Sequence, residues 1–151
     1  MLRISGRSRS WWLFEGNFAL DVEFTANSYA QLMQDRLLVF KPAIVSRLDW
    51  LSLTGASRKN PVVLRSRAYT ETVRVKLPEG FDVDEMPDPV KLEASFGNYA
   101  STYELKDGHL VFTRTLVQRA STIPADQYST FRTFFERIRA AEASPVVLAR
   151  K

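Results

Sequence analysis

The chain has 151 residues, of which 45% are hydrophobic and 12% aromatic, and this is enough for one domain with a sizeable core. It contains no cysteine, which excludes disulfides, thiolate metal sites and a cysteine nucleophile. Its formal net charge is +4, but Arg3, Arg7 and Arg9 supply three of the positive charges near one end. We find no basic stripe with interleaved aromatic residues, and therefore expect no nucleic-acid partner. We also predict no membrane-spanning segment, because no stretch approaches about 20 apolar residues.

Residues 1–16 form a basic and aromatic segment, which we interpret as an N-terminal segment or domain junction before a single domain at 17–151. Ser and Arg interrupt the place where a secretory signal needs about 7 to 15 apolar residues. Trp11, Trp12 and Phe14 lie in this segment. They are predicted to pack on the domain's own core, to contact a neighbouring domain, or to stack on a ligand such as a sugar.

The first half of the domain contains alternating and turn-rich segments. Residues 17–25 place Phe18, Leu20, Val22 and Phe24 on one side, which predicts a half-buried strand. The stretch around Tyr29 to Leu37 also fits a helical period, so we leave it open, whereas LLVF before Pro42 indicates a strand. Residues 46–60 are predicted to include a surface connection.

Two further strands and a loop are predicted between residues 61 and 96. PVVLRS is short, and AYTETVRVKLP alternates, with Glu71 interrupting its apolar row; we interpret Glu71 as lying near a sheet edge. Pro78, Gly80 and the later prolines predict a long crossing loop up to about Val90. VKLEASF alternates again and indicates another strand.

The last third has the strongest local signals. Asp107-Gly108 predicts a type I′ turn, and hence a β-hairpin from Tyr99 to Arg119. Pro124 begins an amphipathic helix over about 124–143, and PVVLA is a last short strand that could pair with a sheet edge. Together these elements predict a mainly β fold, an antiparallel β-sandwich (jelly-roll-like) with one C-terminal amphipathic α-helix followed by a short strand.

No catalytic, metal or cofactor site emerges from the residue pattern. His109 is the only histidine and follows the hairpin turn, and no GxSxG motif accompanies it. The acidic cluster, Asp82, Asp84, Glu85 and Asp88, lacks the spacing of a calcium loop, so we interpret it as a solvated loop. We predict no metal and no cofactor, since the glycines are scattered and one histidine is too few for zinc.

An ordered series of segments resembles a known bacterial family. LPEGF, PDPVKLEASFGNYASTYELKDGHLVFTRTL and IPADQYSTFRTFFERI resemble the C-terminal β-sandwich domain of unknown function found after the transglutaminase-like domain in bacterial transglutaminase-like proteins. With the upstream DRLLVFKP, the resemblance covers about residues 18–148. In those proteins an N-terminal β-sandwich and a central papain-related domain come first.

The resemblance implies a non-catalytic accessory domain whose partner is the transglutaminase-like domain of a parent chain. The catalytic Cys-His-Asp set belongs to that central domain and cannot be carried over, since this chain has no cysteine; we therefore expect no enzyme activity here. The parent protein is expected to be periplasmic or otherwise extracytoplasmic. The alternative function is a glycan- or peptide-binding β-sandwich module.

Overall fold

A computed structural model describes residues 2–11, 17–26, 28–48 and 51–151, and the side chains among them from residue 18 onward. Most of the described chain is strand, and the long helix comes late. The elements are β1 (Leu2–Trp11), β2 (Asn17–Ala26), β3 (Gln31–Met33), β4 (Leu37–Phe40), β5 (Val62–Leu64), β6 (Arg67–Lys76), β7 (Phe81–Glu85), β8 (Val90–Ala94), β9 (Gly97–Lys106), β10 (His109–Gln118), β11 (Ser121–Ile123), a 3₁₀ turn (Ala125–Gln127), α1 (Tyr128–Ala143) and β12 (Val146–Arg150).

The largest sheet has six antiparallel strands in the order β2-β1-β6-β10-β9-β8. Its centre includes the predicted hairpin, in which β9 and β10 pair without a break from Lys106 and His109 to Gly97 and Gln118. Asp107 and Gly108 have φ angles of 51° and 70°, as a type I′ turn requires. This hairpin is therefore confirmed, and β1, from the basic segment, lies between β2 and β6.

A second sheet has the order β3-β4-β12-β7, and β5 pairs separately with β11. The ambiguous segment before Leu37 is a hairpin rather than a helix, because Gln34 and Asp35 have φ angles of 51° and 52° and reverse the chain. The crossing loop was predicted too long, since β7 forms within it. The last strand, β12, lies between β4 and β7 and not at an edge.

Helix α1 covers one half of the six-stranded sheet with an aromatic stripe. Five of its residues at intervals of one, three and four are buried: Tyr128, Phe131, Phe134, Phe135 and Ile138. They pack with Phe96, whose ring lies 5.2 Å from that of Phe134 in an edge-to-face arrangement. The predicted stripe and the predicted mainly β fold with one late helix are confirmed.

The other half of the same sheet face is covered by the four-stranded sheet. Here Val73, Val75 and Phe112 pack with Phe40 and Leu148. The core thus consists of two apolar clusters that share one sheet face.

Residues 41–61, which we call the connecting segment, join β4 to β5 and contain no helix or strand in their described part. Leu48 and Leu51 insert into the helix-covered cluster, at 2% and 7% exposure. Side chains of the helix bind main-chain oxygens of this segment: Arg132 donates to Gly55 at 3.0 Å, and Arg139 donates to Leu51. These contacts hold a segment that lacks its own backbone hydrogen-bond ladder.

Candidate interaction surface

A row of polar residues crosses the buried side of the six-stranded sheet. Glu71 on β6, Arg114 on β10 and Ser101 on β9 lie directly opposite one another, and their exposures are 4%, 0% and 2%. On each strand the neighbours along the same face are apolar or aromatic, such as Phe112 and Leu116 around Arg114. The row therefore lies between the two apolar clusters.

Among the described residues, Arg114 takes part in each ionic contact of this row. Its Nε donates to Glu71 Oε2 at 2.6 Å, its Nη2 donates to the Val45 carbonyl oxygen, and its Nη1 lies 2.7 Å from Glu142 Oε1 in the last turn of α1. The contact with Glu142 is an ion pair outside ordinary hydrogen-bond angles. One side chain thus connects the sheet, the helix and the connecting segment.

The predicted position of Glu71 near a sheet edge is wrong, and Arg114 and Glu142 were not predicted from the sequence. Glu71 is on a central strand, between β1 and β10, and not near an edge. A charge in an apolar row is compatible with burial where an opposite charge lies across the strand pair. The sequence does show that Glu71 and Arg114 each interrupt an alternating apolar row. It does not show that they pair, because the pairing depends on the strand order.

Burial shifts the pKa values of several groups around this row. Desolvation raises the pKa of Glu142 above its ordinary value, although Arg114 opposes that shift. Desolvation also raises the pKa of Tyr69 and that of Tyr99. The Tyr69 and Tyr99 hydroxyls have no hydrogen bond of ordinary geometry within the described residues, although Ser101 and Glu142 lie close enough to Tyr99 to affect its pKa. Tyr69 and Tyr99 are buried in the core, and Arg114 links Glu142 of α1 to Glu71 of the sheet. This arrangement is suited to holding α1 against the sheet.

The predicted polar candidates lie apart from this row. His109 is at the hairpin tip, half-buried, with its Nδ1 2.8 Å from the Asp107 carbonyl oxygen. Asp82, Asp84 and Glu85 are exposed on β7, and Asp82 forms an ion pair with Lys151 at 3.1 Å. Within the described ranges, no group of three or more histidine or acidic side chains could hold a metal ion.

The predicted contact residues are largely outside the described part of the chain. Trp12 and Phe14 lie outside the described residues, and Trp11 is described only by its backbone, which pairs with Asn17 and Ala68. Their proposed roles stay predictions.

A row of exposed apolar side chains lies on β2, which follows this segment. Phe18, Leu20, Val22 and Phe24 are 58%, 48%, 45% and 38% exposed. Directly opposed residues of antiparallel strands lie on the same side of a sheet. Through β1, the four residues share cross-strand rows with core-facing residues of β6: Phe18 with Tyr69, Leu20 with Glu71, Val22 with Val73, and Phe24 with Val75.

The alternation of residues 17–25 predicted this strand correctly, but not the exposure of its apolar side. The core-facing side of the sheet continues onto β2, where its apolar side chains remain between a third and three fifths exposed. A contiguous apolar patch of this kind marks an interaction site more often than an isolated exposed residue does. We therefore define Phe18, Leu20, Val22 and Phe24 as the β2 row and take it as the candidate interaction surface.

Comparison with solved structures shows a similar fold in a longer protein. The crystal structure of a "putative protease" from Parabacteroides distasonis ATCC 8503 matches with a TM-score of 0.65 and 14% sequence identity. The match covers 78% of this chain and 24% of that protein, so this chain spans about a quarter of its length. At this identity the likeness concerns the fold alone.

No curated protein matches the chain. None of the helices in its described part is long and apolar enough to cross a membrane. A family model does match, over residues 35–148, and its description is a domain of unknown function with a solved structure, DUF3858. Since this match covers most of the sequence, the chain belongs to the DUF3858 family.

Proposed function

We propose that this domain is a non-catalytic accessory domain of a larger transglutaminase-like bacterial protein, and that it packs against a neighbouring domain of that protein through the β2 row. The observation that carries the proposal is the continuation of the core-facing side of the sheet onto β2. Four large apolar side chains there are 38% to 58% exposed, although they share rows with buried residues. Covering them would remove apolar area from water, which favours association.

The chemistry of the described residues supports a role in binding over a role in catalysis. Three of the groups whose pKa values are raised by burial, Tyr69, Tyr99 and Glu142, lie near Arg114 in the interior. A catalytic group has to reach its substrate, whereas the Tyr69 and Tyr99 side chains are buried and Glu142 is paired with the buried Arg114. The transglutaminase-like parent and its extracytoplasmic location come from the resemblance of segments such as LPEGF and are part of the proposal.

The test is the relative motion of the domains in the intact parent protein. NMR relaxation should give this domain the rotational correlation time of the whole protein. Replacing Leu20 and Val22 together by Lys should release it, so that it tumbles on its own. The matched control is Val63→Lys, since Val63 is 73% exposed on β5, which belongs to a different sheet from β2.

Independent tumbling of the domain in the unaltered parent protein would contradict the proposal. A saturable change in tryptophan fluorescence when cell-wall fragments or peptides are added to the 151-residue chain would instead favour the glycan- or peptide-binding alternative.

A further inference from the structure

Strand β2 is the edge of the six-stranded sheet among the described strands. It pairs with β1 over its whole length, from Asn17 with Trp11 to Ala26 with Leu2, without a register shift. In an antiparallel pair, alternate residues point their N–H and C=O groups away from the partner. The outer side of β2 is thus a regular row of backbone donors and acceptors about ten residues long.

The other edges of the six-stranded and four-stranded sheets have features that discourage pairing. At the opposite edge of the same sheet, β8 has five residues, follows Pro87 and Pro89, and carries the exposed Lys91. In the second sheet, β3 has three residues, and β7 has five with a register irregularity in its pairing. Short length, proline, charged side chains (lysine above all) and irregular register are the usual protections of an edge strand.

Strand β2 has only one of these protections, the charged residues Asp21 and Glu23 that alternate with its apolar side chains. Its sequence, NFALDVEFTA, contains no proline, lysine or glycine, and it has ten residues. One of its sides carries the β2 row, so the exposed edge is apolar as well as long and regular. A partner that only covers the apolar side would leave the outward backbone groups unpaired, whereas an added strand satisfies them and extends the apolar side.

The size of the surface favours a tethered partner. The β2 row has four side chains, whereas a stable interface between free proteins uses about 20 to 30 residues a side. A segment of the same polypeptide needs less contact area, because a short tether gives an effective concentration of order mM.

A second copy of this chain is a poor occupant. In one antiparallel register all four apolar residues face apolar residues of the other copy. Phe18 then pairs with Phe24, and Leu20 pairs with Val22. Two free copies would meet mainly through these four side chains of each, far fewer than the roughly 20 to 30 residues a side that a stable interface uses.

We infer that β2 accepts an additional strand from the neighbouring domain of the same parent polypeptide, an extended segment of up to about ten residues with apolar side chains at alternate positions. This inference rests on the proposed function and specifies its contact. The added strand hydrogen-bonds to the outward backbone groups of β2, and its apolar side chains lie beside Leu20 and Val22 on the core-facing side.

The experiment is amide hydrogen exchange, resolved by residue, in the intact parent protein and in the 151-residue chain. The β2 amides that point away from β1 should exchange at least tenfold more slowly in the parent protein. The amides of β2 that point to β1 provide the internal control, since they are already paired. Leu20→Lys in the parent protein should abolish the added protection, whereas Val63→Lys should leave it intact.

The outcomes separate this inference from the proposed function. If the domain tumbles with its parent but the outward amides exchange equally fast in both proteins, the docking is real and the strand addition is wrong. Equal exchange together with independent tumbling contradicts both. A concentration-dependent dimer of the 151-residue chain with protected outward amides would make a second copy the occupant and overturn the inference.

Discussion

Glu71 and Arg114 lie directly opposite each other on β6 and β10, and their side chains form an ion pair that is closed off from solvent. Because Arg114 also contacts Glu142 and the Val45 carbonyl oxygen, this pair fixes how α1 and the connecting segment sit on the sheet. A buried pair contributes little net stability compared with an apolar replacement, since desolvation opposes the attraction. The loss of one partner, however, leaves an uncompensated charge.

Arg114→Met should destabilise the domain by about 3 to 5 kcal/mol, because Glu71 and Glu142 would remain buried without a cation. Urea denaturation of the 151-residue chain measures this change. The control is Arg132→Met, which removes a partly exposed pair with Glu136 and a hydrogen bond to the Gly55 carbonyl oxygen, and should cost only about 1 to 2 kcal/mol. Similar losses for both variants would show that the buried row has no special role.

Tyr69→Phe should leave the free energy of unfolding unchanged or raise it by about 1 kcal/mol. The Tyr69 hydroxyl is buried without a hydrogen bond of ordinary geometry among the described residues, and phenylalanine removes that group while keeping the ring. Tyr29→Phe is the matched control, since the Tyr29 hydroxyl donates to the Lys41 carbonyl oxygen at 2.6 Å. In this control the free energy of unfolding should fall by about 1 kcal/mol. A clear loss in Tyr69→Phe would mean that its hydroxyl has a stabilising partner.

Glu142→Gln should change the pH dependence of stability. Because burial raises the pKa of Glu142 above 4.5, the folded state holds this proton more tightly than the unfolded chain does. The stability that the protonated Glu142 contributes to the folded state is complete below about pH 4.5. It is lost as the pH rises through the pKa of Glu142 in the folded state. Relative to the variant, the unaltered chain should therefore become less stable over that rise.

Denaturant titrations across the acid range test this sign. The groups that face Glu142 are Arg114, Glu71 and Tyr99, and they are the same in both proteins. If the unaltered chain instead gains stability relative to Glu142→Gln as the pH rises, the attraction of Arg114 outweighs desolvation and the assigned direction is wrong.

Gly97→Ala should destabilise the start of β9 by about 1 to 3 kcal/mol, as overpacking does. A Cβ at Gly97 would lie 2.6 Å from the Val117 carbonyl oxygen on β10, and this oxygen belongs to the backbone of the paired strand. Thr102→Ala, at an exposed position of the same strand, should stay within about 0.5 kcal/mol. Thermal unfolding compares the two, and equal midpoints would show that the strand end moves aside at no cost.

Local sequence patterns were sufficient to predict the structure where the contacts that determine it lie within one element or one turn. Asp107-Gly108 adopts the positive φ angles that its composition indicated, and the hairpin follows. The spacing of Phe131, Phe135 and Ile138 predicted the buried side of α1. Both results depend on a few neighbouring residues, and short-range sterics and helix geometry determine them.

Sequence patterns were insufficient to predict a strand or a turn that lies within a short polar connection. The region between Pro78 and Pro89 contains β7, which is stabilised by its pairing with β12 from the end of the chain. Gln34 and Asp35 form a reversal that the helical spacing of their neighbours did not indicate. In each case the backbone partner is distant or the turn residues are atypical.

The sequence by itself determined which segments alternate, where the hairpin turns and which side of α1 is apolar. The tertiary structure decided what covers each apolar side, because strand order depends on pairings between distant segments. It placed Glu71 opposite Arg114 in the core and left Phe18 and Leu20 exposed on an edge strand. Both strands alternate in the same way, and they differ in burial because β6 lies under the core and β2 lies beyond it.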